Sequence, residues 1–574
     1  MKRTIIISLT FLLTATVSFG QKQANIWYFG ENAGLDFTSG SPVALINGVL
    51  NTLEGCASIC DSSGNLLFYT DGVSVWDSTH NQMPNGWGLW GPWSSTESAV
   101  IVPKPSSDSL FYIVTVGAYA GVQGGCGCLS YSCVDMSLNG GKGDVIIKNQ
   151  VIYYPATEHL AAIMHENGQD IWTLSHEYDA NRFRAYLITA AGISTTPVVS
   201  ITGITPYAYP TGDWGANAVG PMSFSPNGCK VALSLTNQDT IQVLNFDPAK
   251  GIVYNPVYLP IPFSYGVEFS PNNNILYAGS YDYINTQDRL WQYNVSLGTQ
   301  SAIQSSKTLI ANVDEINNLQ LGPDNKIYVA KYQKDYLGVI NSPNSLGTSC
   351  NFVSNGFFLN GKKSLSGLPN FIQDYFDFDT TGTSCPKISI VCNPPNTAFT
   401  YADTSLTVTF IDSSTSYFTD SLNTVYFSDS TTSITNWYWD FGDGNNDTSK
   451  SPTHTYLTSG SYWVCLTATN SCGTDTFCDS LTVSTTGLEK INTVEQVKIF
   501  PNPFTDKTTI EFKNPKRENH ILTLYDTQGR LIRTTNNITT NKVEIERKNL
   551  TSGLYFFQLR TDRQVLVTGK LTVE

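Results

Sequence analysis

A repeated turn-and-strand pattern constrains the fold of this 574-residue chain more than any other feature. In each copy, a Pro-Asn or Pro-Asp turn precedes a short apolar strand, a polar gap and a second strand. The prolines of the three clearest copies lie 45 and 52 residues apart, at Pro226, Pro271 and Pro323. This spacing is typical of the four-stranded blades of a β-propeller.

Weaker copies extend the repeated region towards the N-terminus. The turns at Asp61–Asn65 and His165–Gly168 each precede a pair of apolar strands. The region from Gln21 to about Asp379 spans some 359 residues, which accommodates about seven blades of roughly 50 residues each. Stacked β-sandwiches would not explain a turn that recurs at this spacing. The sequence therefore predicts an all-β propeller over residues 21–380.

Five short runs of this region carry a family resemblance: Asn25–Gly30, Ala33–Phe37, Glu54–Ala57, Gly64–Gly72 and Gly367–Phe371. Together they are similar to the WD-like or YVTN-like propellers of Bacteroidetes surface proteins, and the resemblance covers about 350 residues. It implies the propeller fold and no established activity.

The charge distribution excludes one class of partner and marks a boundary. The formal net charge is −14, which argues against binding nucleic acid, because phosphates select basic surfaces. Residues 488–574 carry 14 basic and 10 acidic side chains, a net charge of +4, whereas the rest of the chain carries −18. A change of sign of this size indicates a separate C-terminal module.

The N-terminus has the layout of a secretory signal peptide over residues 1–20. Basic Lys2 and Arg3 precede the apolar run Thr4–Val17, and small residues lie just before Gln21. No later run approaches 18 apolar residues, so no transmembrane segment is predicted after the signal is removed. Export permits disulfides among the 12 cysteines, whose spacing fits no zinc site.

The run Trp437–Gly444 identifies the middle of the chain. With the H-x-Y triplet at His454 and the G-x-Y triplet at Gly460, it closely resembles the PKD (polycystic kidney disease) domain, an immunoglobulin-like β-sandwich expected over residues 385–484. Such domains are typically spacers or adhesion modules. The residues that carry the signature are Trp439, Asp440, Phe441, Gly442, Asp443, Gly444, His454 and Tyr456.

Local chemistry predicts how this motif is used. Trp439 and Phe441 alternate inward on a strand, and Asp443-Gly444 makes a tight turn in which glycine tolerates positive φ. His454 and Tyr456 serve the core of the sandwich and not catalysis. A hairpin around residues 470–473 places Cys465 opposite Cys478, which predicts a cross-strand disulfide.

Near the C-terminus lie the runs Val497–Phe504, Leu522–Leu531 and Leu550–Leu559. These three motif runs resemble the type A sorting domain of the type IX secretion system. They predict strands of a small sandwich over residues 496–574, joined to the body by a linker over residues 485–495. The resemblance implies the secretion machinery as a partner, removal of the module, and release or attachment to surface lipopolysaccharide. The motif residues are Pro501, Asn502, Pro503, Tyr525, Asp526, Gly529, Gly553, Tyr555 and Lys570.

The sequence contains no catalytic motif. The histidines form no HExxH motif, and the glycine-rich runs lack the strand-to-helix context of a phosphate loop. Sialidase-like propellers use an arginine cluster, but this propeller has only Arg182, Arg184 and Arg289. A carboxylate-pair hydrolase is left open, since sequence does not measure the separation of acidic side chains. No cofactor or metal site is predicted, and a structural calcium ion is left open.

Tryptophans supply the strongest indication of binding. Trp87, Trp90 and Trp93 lie in a glycine-rich segment, with Trp76 nearby. Their rings can stack on sugars, although capping of a blade explains them as well. The sequence therefore supports two hypotheses. The first is a secreted or surface binding and adhesion protein, with glycans or proteins as partners. The second is a polysaccharide-active enzyme, for which two or three ionisable side chains should converge in the axial funnel.

Overall fold

The computed structural model describes residues 22–117, 126–206, 219–281, 287–377, 385–388, 390–420, 425–427, 434–484, 497–526, 530–561 and 565–574. The predicted signal peptide, the predicted linker and Gly529 lie outside these ranges. The described residues form two compact units. The first holds those of 1–401, 410–452 and 463–480, and the second those of 402–409, 453–462 and 481–574.

Seven antiparallel sheets follow one another along the described part of residues 22–358, and we number them as blades 1 to 7. Blade 1 contains β1 (Ile26–Phe29), β2 (Ala33–Asp36) and β3 (Val43–Leu45); blade 2 contains β4 (Ala57–Cys60), β5 (Leu66–Thr70), β6 (Ser74–Asp77) and β7 (Gln82–Trp87); and blade 3 contains β8 (Ala99–Pro103), β9 (Leu110–Val116), β10 (Leu129–Asp135) and β11 (Asp144–Tyr153). Blade 4 contains β12 (Ala156–Met164), β13 (Ile171–Glu177), β14 (Arg182–Thr189), β15 (Gly192–Ile193) and β16 (Val198–Ile201), and blade 5 contains β17 (Met222–Phe224), β18 (Lys230–Leu235), β19 (Thr240–Asp247) and β20 (Ile252–Pro260). Blade 6 contains β21 (Ser264–Phe269), β22 (Ile275–Ser280), β23 (Asp288–Asn294) and β24 (Thr308–Val313), and blade 7 contains β25 (Leu319–Leu321), β26 (Ile327–Val329), β27 (Tyr336–Ile340) and β28 (Phe352–Phe358). The all-β propeller is confirmed.

Helical structure in the described residues is limited to short connections. One α-helix, α1 (Gln300–Ser305), lies between β23 and β24, and its N-cap Thr299 accepts a hydrogen bond from the Ala302 N–H. No described helix has the length and apolar character needed to cross a membrane. Single 3₁₀ turns occupy Lys22–Ala24, Asn139–Gly141, Thr236–Gln238, Val295–Leu297, Gly347–Cys350 and Gln373–Phe376.

The repeated turn joins the first two strands of a blade. In blade 5, the Ser225 N–H donates to the Lys230 carbonyl at 2.9 Å, and Gly228 supplies the positive φ of 72°. The first strands of successive blades contact one another, from β1 to β4 and onward to β25. These strands therefore surround the axis of the propeller.

The chain's own segment Ser364–Phe376 passes along this axis, and we call it the axial segment. It contacts the strands or loops of blades 2, 4, 5 and 7. Because its residues are buried, the channel is filled by the protein itself. The hydrogen bonds that hold it join Ser366 N to Leu53 O (2.8 Å), Asn318 N to Ser366 O (3.0 Å), Asn370 N to Cys56 O (2.9 Å), Asn370 Nδ2 to Leu160 O (3.0 Å) and Gln373 Nε2 to Ser223 Oγ (3.2 Å).

Gly367 is required where the axial segment passes blade 2. A Cβ atom at this position would lie 1.9 Å from the Glu54 carbonyl oxygen, which is backbone and has no freedom to move aside. Four residues later, the Phe371 ring packs on Trp27 of blade 1, with ring centroids 5.8 Å apart. The run Gly367–Phe371 thus lies at the centre of the propeller. It also carries part of the family resemblance.

Beyond the axial segment, a disulfide joins Cys385 to Cys229 in the repeated turn of blade 5. The Tyr254 hydroxyl donates to the Pro386 carbonyl at 2.6 Å. The following region contributes β29 (Ile390–Cys392), β32 (Phe418–Asp420) and β33 (Val425–Phe427), and β33 pairs with β16 to extend the sheet of blade 4.

Two further sheets form the sandwich that the PKD signature predicts. They contain β30 (Phe399–Thr404), β31 (Thr407–Asp412) and β36 (Thr453–Thr455), and β34 (Asn436–Asp440), β35 (Asn446–Asp447), β37 (Gly460–Asn470) and β38 (Gly473–Val483).

The signature residues take the predicted places in this sandwich. Trp439 and Phe441 are buried, and Tyr456 is buried beside a half-buried His454. Gly442 and Gly444 have φ values of 76° and 91°.

The predicted hairpin and its disulfide are present. Strands β37 and β38 are neighbours, and Cys465 is bonded to Cys478 across them. Paired threonine hydroxyls, such as those of Thr467 and Thr476 at 2.9 Å, connect the same two strands. The register read from the sequence is therefore the register of the structure.

The C-terminal module is a second small sandwich. Its sheets are β39 (Lys498–Phe500), β40 (Lys507–Glu511) and β43 (Lys542–Glu546), and β41 (His520–Tyr525), β42 (Leu531–Ile538), β44 (Gly553–Arg560) and β45 (Val565–Val573), the latter in the order β42-β41-β44-β45. The buried residues of its hydrophobic core lie between Phe504 and Val573, and Val497 and Ile499 pack against them.

Candidate functional site

A cavity of about 390 Å³ opens between the loops of blades 5, 6 and 7. Tyr265 and Tyr281 line it together with three carboxylates, Asp288, Asp314 and Glu315. The loop between β24 and β25 brings Asp314 and Glu315 to the cavity, and Glu315 has a φ of 61°, an uncommon conformation for a residue with a side chain. The arrangement produces a concave and strongly acidic surface.

Asp288 is the most constrained of the three carboxylates. It is 7% exposed, and its Oδ2 accepts a hydrogen bond from the Ile316 N–H at 2.5 Å. Burial raises its pKa to about 6, and the charges of Glu315 and Asp314 add to the effect. Asp314 is open to solvent, with Lys334 at 3.9 Å. The cavity therefore combines one buried and two exposed carboxylates.

Tyr265 links this cavity to the axis of the propeller. Its hydroxyl donates to Glu54 Oε1 at 3.0 Å. Burial, followed by the charge of Glu54, raises the pKa of Tyr265 well above its ordinary value, so the phenol remains a donor. A group bound in the cavity would thus lie one side chain away from Glu54.

Four glutamates from four blades lie around the axial segment: Glu54, Glu97, Glu158 and Glu268. Glu97, Glu158 and Glu268 are at most 5% exposed. Glu158 accepts hydrogen bonds from the N–H and hydroxyl of Thr96, at 2.8 and 2.9 Å. We call these residues the axial glutamates.

Burial is the main cause of the altered acidity of the axial glutamates. It raises the pKa values of Glu54 and Glu158, and repulsion from Glu158 raises that of Glu54 further. Burial and the charges of Glu268 and Glu54 raise the pKa of Glu97 well above its ordinary value. Burial raises the pKa of Glu268 to about 8, although hydrogen bonds from the Leu321 and Phe269 N–H groups act to lower it. Burial, together with repulsion between neighbouring carboxylates, favours protonated carboxyls at neutral pH.

The four predicted tryptophans lie in different surroundings. Trp76 stacks on Tyr69 inside blade 2, with centroids 5.5 Å apart. Trp87 is 63% exposed, and Lys148 Nζ lies 4.3 Å from its ring centroid. Trp90 is half-buried and Trp93 is 40% exposed. Sugar stacking by these rings stays a prediction, and Trp87 and Trp93 offer the most ring surface for it.

Arg182, Arg184 and His176 all lie in blade 4. Arg182 and Arg184 both bind Glu177, at 3.1 and 2.7 Å, so the two cations share one carboxylate. His176 is fully buried against Phe183, and burial holds its pKa well below the ordinary value. Among the described residues, no group of three His, Cys, Asp or Glu side chains is arranged to hold a metal ion.

Sequence reasoning missed the axial glutamates, Asp288 and Tyr265. Each axial glutamate lies in or just before the first strand of its blade, but tens of residues separate one from the next. Only a correct register of several blades would have brought them together. Glu54 belongs to the run Glu54–Ala57, which carries part of the family resemblance. Its place in that run was the one indication in the sequence that pointed to this glutamate.

Comparison with known families identifies the two C-terminal domains. Residues 498–574 match the family model of the secretion system C-terminal sorting domain, and residues 412–485 match that of the PKD domain. The sorting tail indicates export by type IX secretion to the cell surface or the extracellular space. No curated protein matches the chain.

Similar solved structures include isolated PKD domains and propellers. The PKD1 domain of the Vibrio cholerae metalloprotease PrtV is 32% identical, with 16% of this chain and 96% of that chain covered and a TM-score of 0.13. The PKD1 domain of Vibrio anguillarum Epp is 23% identical, covering 17% and 100%, with a TM-score of 0.14. A putative 6-phosphogluconolactonase from Bacteroides uniformis is 12% identical, covering 58% and 97%, with a TM-score of 0.37.

Proposed function

We propose that this exported protein binds a ligand at the cell surface through the acidic cavity of its propeller, with the PKD domain as a spacer. The observation that carries the proposal is the cavity itself, in which Tyr265, Tyr281 and three carboxylates surround about 390 Å³. A concave site with aromatic walls and a few convergent polar groups is the usual form of a small-molecule site.

The chemistry of the lining selects the ligand class. Carboxylates accept hydrogen bonds and attract cations, whereas they repel carboxylate and phosphate groups. Tyrosine rings supply faces for apolar and sugar surfaces. A glycan with free hydroxyl or amino groups fits this lining, and an acidic glycan does not. The exposed rings of Trp87 in blade 2 and of Trp93, which follows that blade, offer separate faces for stacking on sugars.

A glycan array with a turnover readout tests binding and chemistry together. The exported body should retain neutral or amino-bearing glycans, and the double variant Asp314→Asn/Glu315→Gln should bind them at least tenfold more weakly. Asp108→Asn, which removes an exposed carboxylate from blade 3, is the matched control and should bind normally. Equal binding by the double variant would refute the assignment to this cavity.

The pair Glu54 and Tyr265 supports a second candidate, a polysaccharide-active hydrolase or lyase. Glycoside hydrolysis needs a carboxyl that is still protonated at neutral pH, together with a second carboxylate. Glu54 has the raised pKa of such an acid, and the exposed carboxylates of the cavity offer the second group. On this hypothesis, Glu54→Gln abolishes turnover and leaves binding intact. Binding without any turnover by the unmodified protein would reject the enzyme.

A further inference from the structure

The four-stranded sheet of the sorting module has one face that its own core does not use. Leu522 and Leu524 of β41 and Phe557 and Leu559 of β44 point into the core and are at most 3% exposed. Alternate residues of a strand point to opposite faces of a sheet. The intervening side chains of β41 and β44 therefore lie on the outer face.

On this outer face, cross-strand neighbours form a single row. Tyr525 pairs with Leu531 on one side and with Phe556 on the other, and Phe556 pairs with Lys570. A bulge next to Tyr525 places Ile532 beside Leu531. The row crosses all four strands, a distance of about 14 Å at the usual strand spacing. We call Leu531, Ile532, Tyr525, Phe556 and Lys570 the sorting row.

Apart from Lys570, the sorting row is apolar, and three of its apolar side chains are open to solvent. Leu531 is 58% exposed, Ile532 is 42% exposed and Phe556 is 36% exposed, and Leu554 on the same face of β44 is 39% exposed. Single exposed apolar residues are common on protein surfaces. A contiguous group of them with a polar rim instead marks a protein interaction site.

The first motif run, Val497–Phe504, holds the edge of the row in place. Asn502 Nδ2 donates to the Lys570 carbonyl at 3.0 Å, and Asn502 Oδ1 accepts from the Thr572 N–H at 2.8 Å. The Phe504 N–H donates to the Thr572 carbonyl at 3.0 Å. The three predicted motif runs, far apart in sequence, therefore meet at one surface.

We propose that the sorting row is the surface through which the secretion machinery binds this module. The partner is the machinery's receptor in the outer membrane, which we expect to offer an apolar groove for Leu531 and Phe556 with acidic side chains facing Lys570. The charges of the chain support this occupant. The module's net charge of +4 favours an acidic partner, whereas the body's net charge of −18 opposes one. This proposal is independent of what the propeller binds.

Export of full-length variants in a type IX-competent Bacteroidetes strain tests the proposal. Leu531→Ser/Phe556→Ser should lower the exported amount at least tenfold and leave the protein in the periplasm with its module attached. Phe556→Trp keeps an aromatic side chain in the row and should leave export at the unmodified level. Leu457→Ser removes an 89% exposed leucine from the sandwich and is the matched control.

A variant that fails to fold would mimic a loss of recognition, so a charge reversal supplies independent evidence. Lys570 is exposed at the edge of the row, and Lys570→Glu should lower export several-fold with unchanged thermal melting of the purified full-length chain. Photo-crosslinking from position 556 in cells should capture an outer-membrane component of the secretion system. Export of both the double serine variant and Lys570→Glu at the unmodified level would overturn the proposal.

Discussion

The propeller and the sorting module both bring their first and last segments together, but they do so in opposite ways. In the propeller, the backbones of Glu31 and Lys363 pair in an antiparallel β-bridge. The axial segment then continues through the interior. In the module, Phe504 pairs with Val573 at the edge of a sheet, and Lys570 remains exposed. The propeller thus continues its closure into a buried segment, whereas the module keeps an exposed side chain, Lys570, on the strand that closes it. This difference suits a stable body and an exposed recognition surface.

Deletion of residues 497–574 should have the largest effect of the tests that follow from comparing the propeller with the module. The module's hydrophobic core contains only its own residues, so the remaining body should fold and melt as before. Export should be lost almost completely, because the surface that the machinery reads is gone. Cell fractionation and thermal melting of the periplasmic protein measure the two outcomes. Normal export of the deleted form would refute the sorting assignment.

Gly367→Ala tests the buried closure of the propeller. The added Cβ would overlap the Glu54 carbonyl, and displacing backbone at the axis should lower the free energy of unfolding by about 3 kcal/mol or more. Gly460→Ala is the control, since its Cβ would meet nothing closer than 3.7 Å. Urea unfolding of the two variants should differ by that amount. Equal stabilities would show that the axial segment is not tightly enclosed.

The axial glutamates predict an effect that depends on pH. Burial raises their pKa values above those of an unfolded chain, as for Glu268 at about 8. The folded state therefore holds protons that the unfolded state has released, and stability should fall as pH rises from about 4.5 to 8. Each such proton contributes a slope of about 1.4 kcal/mol per pH unit.

Glu158→Gln isolates this contribution. It removes one carboxyl and relieves the repulsion on Glu54, so the stability profile between these pH values should become flatter. The Gln side chain can keep the acceptor oxygen that Thr96 uses. Asp108→Asn removes an exposed carboxyl of blade 3 and should leave the slope unchanged. Denaturant midpoints of the two variants, measured across the pH range, test this prediction. An unchanged slope in Glu158→Gln would contradict it.

Local signals in the sequence were enough to predict the strands and turns. The Pro-Asn turn before Lys230 and the Asp443-Gly444 turn depend on neighbouring residues only, and both lie where the sequence placed them. The disulfide between Cys465 and Cys478 followed from the register of one hairpin. Such features need no knowledge of the rest of the chain.

The candidate site was not predictable in the same way. The axial segment meets blade 2 across more than three hundred residues, at Ser366 and Leu53, and nothing in the local sequence of Gly367–Phe371 indicates that path. Closeness in sequence was also a poor guide, since Trp76 packs inside blade 2 whereas Trp87 faces solvent beside Lys148. Long-range register, and not composition, decides which side chains meet.

Mass spectrometry of the protein recovered from the cell surface and the culture medium tests the central claim, that a stable body is delivered by a detachable module. The boundary should be cut near residues 484–495, where the charge changes from −18 to +4. A body folded on its own core should survive this cut intact. We expect the main external form to begin at about Gln21 and to end before Val497. An external form that still ends at Glu574 would contradict this account.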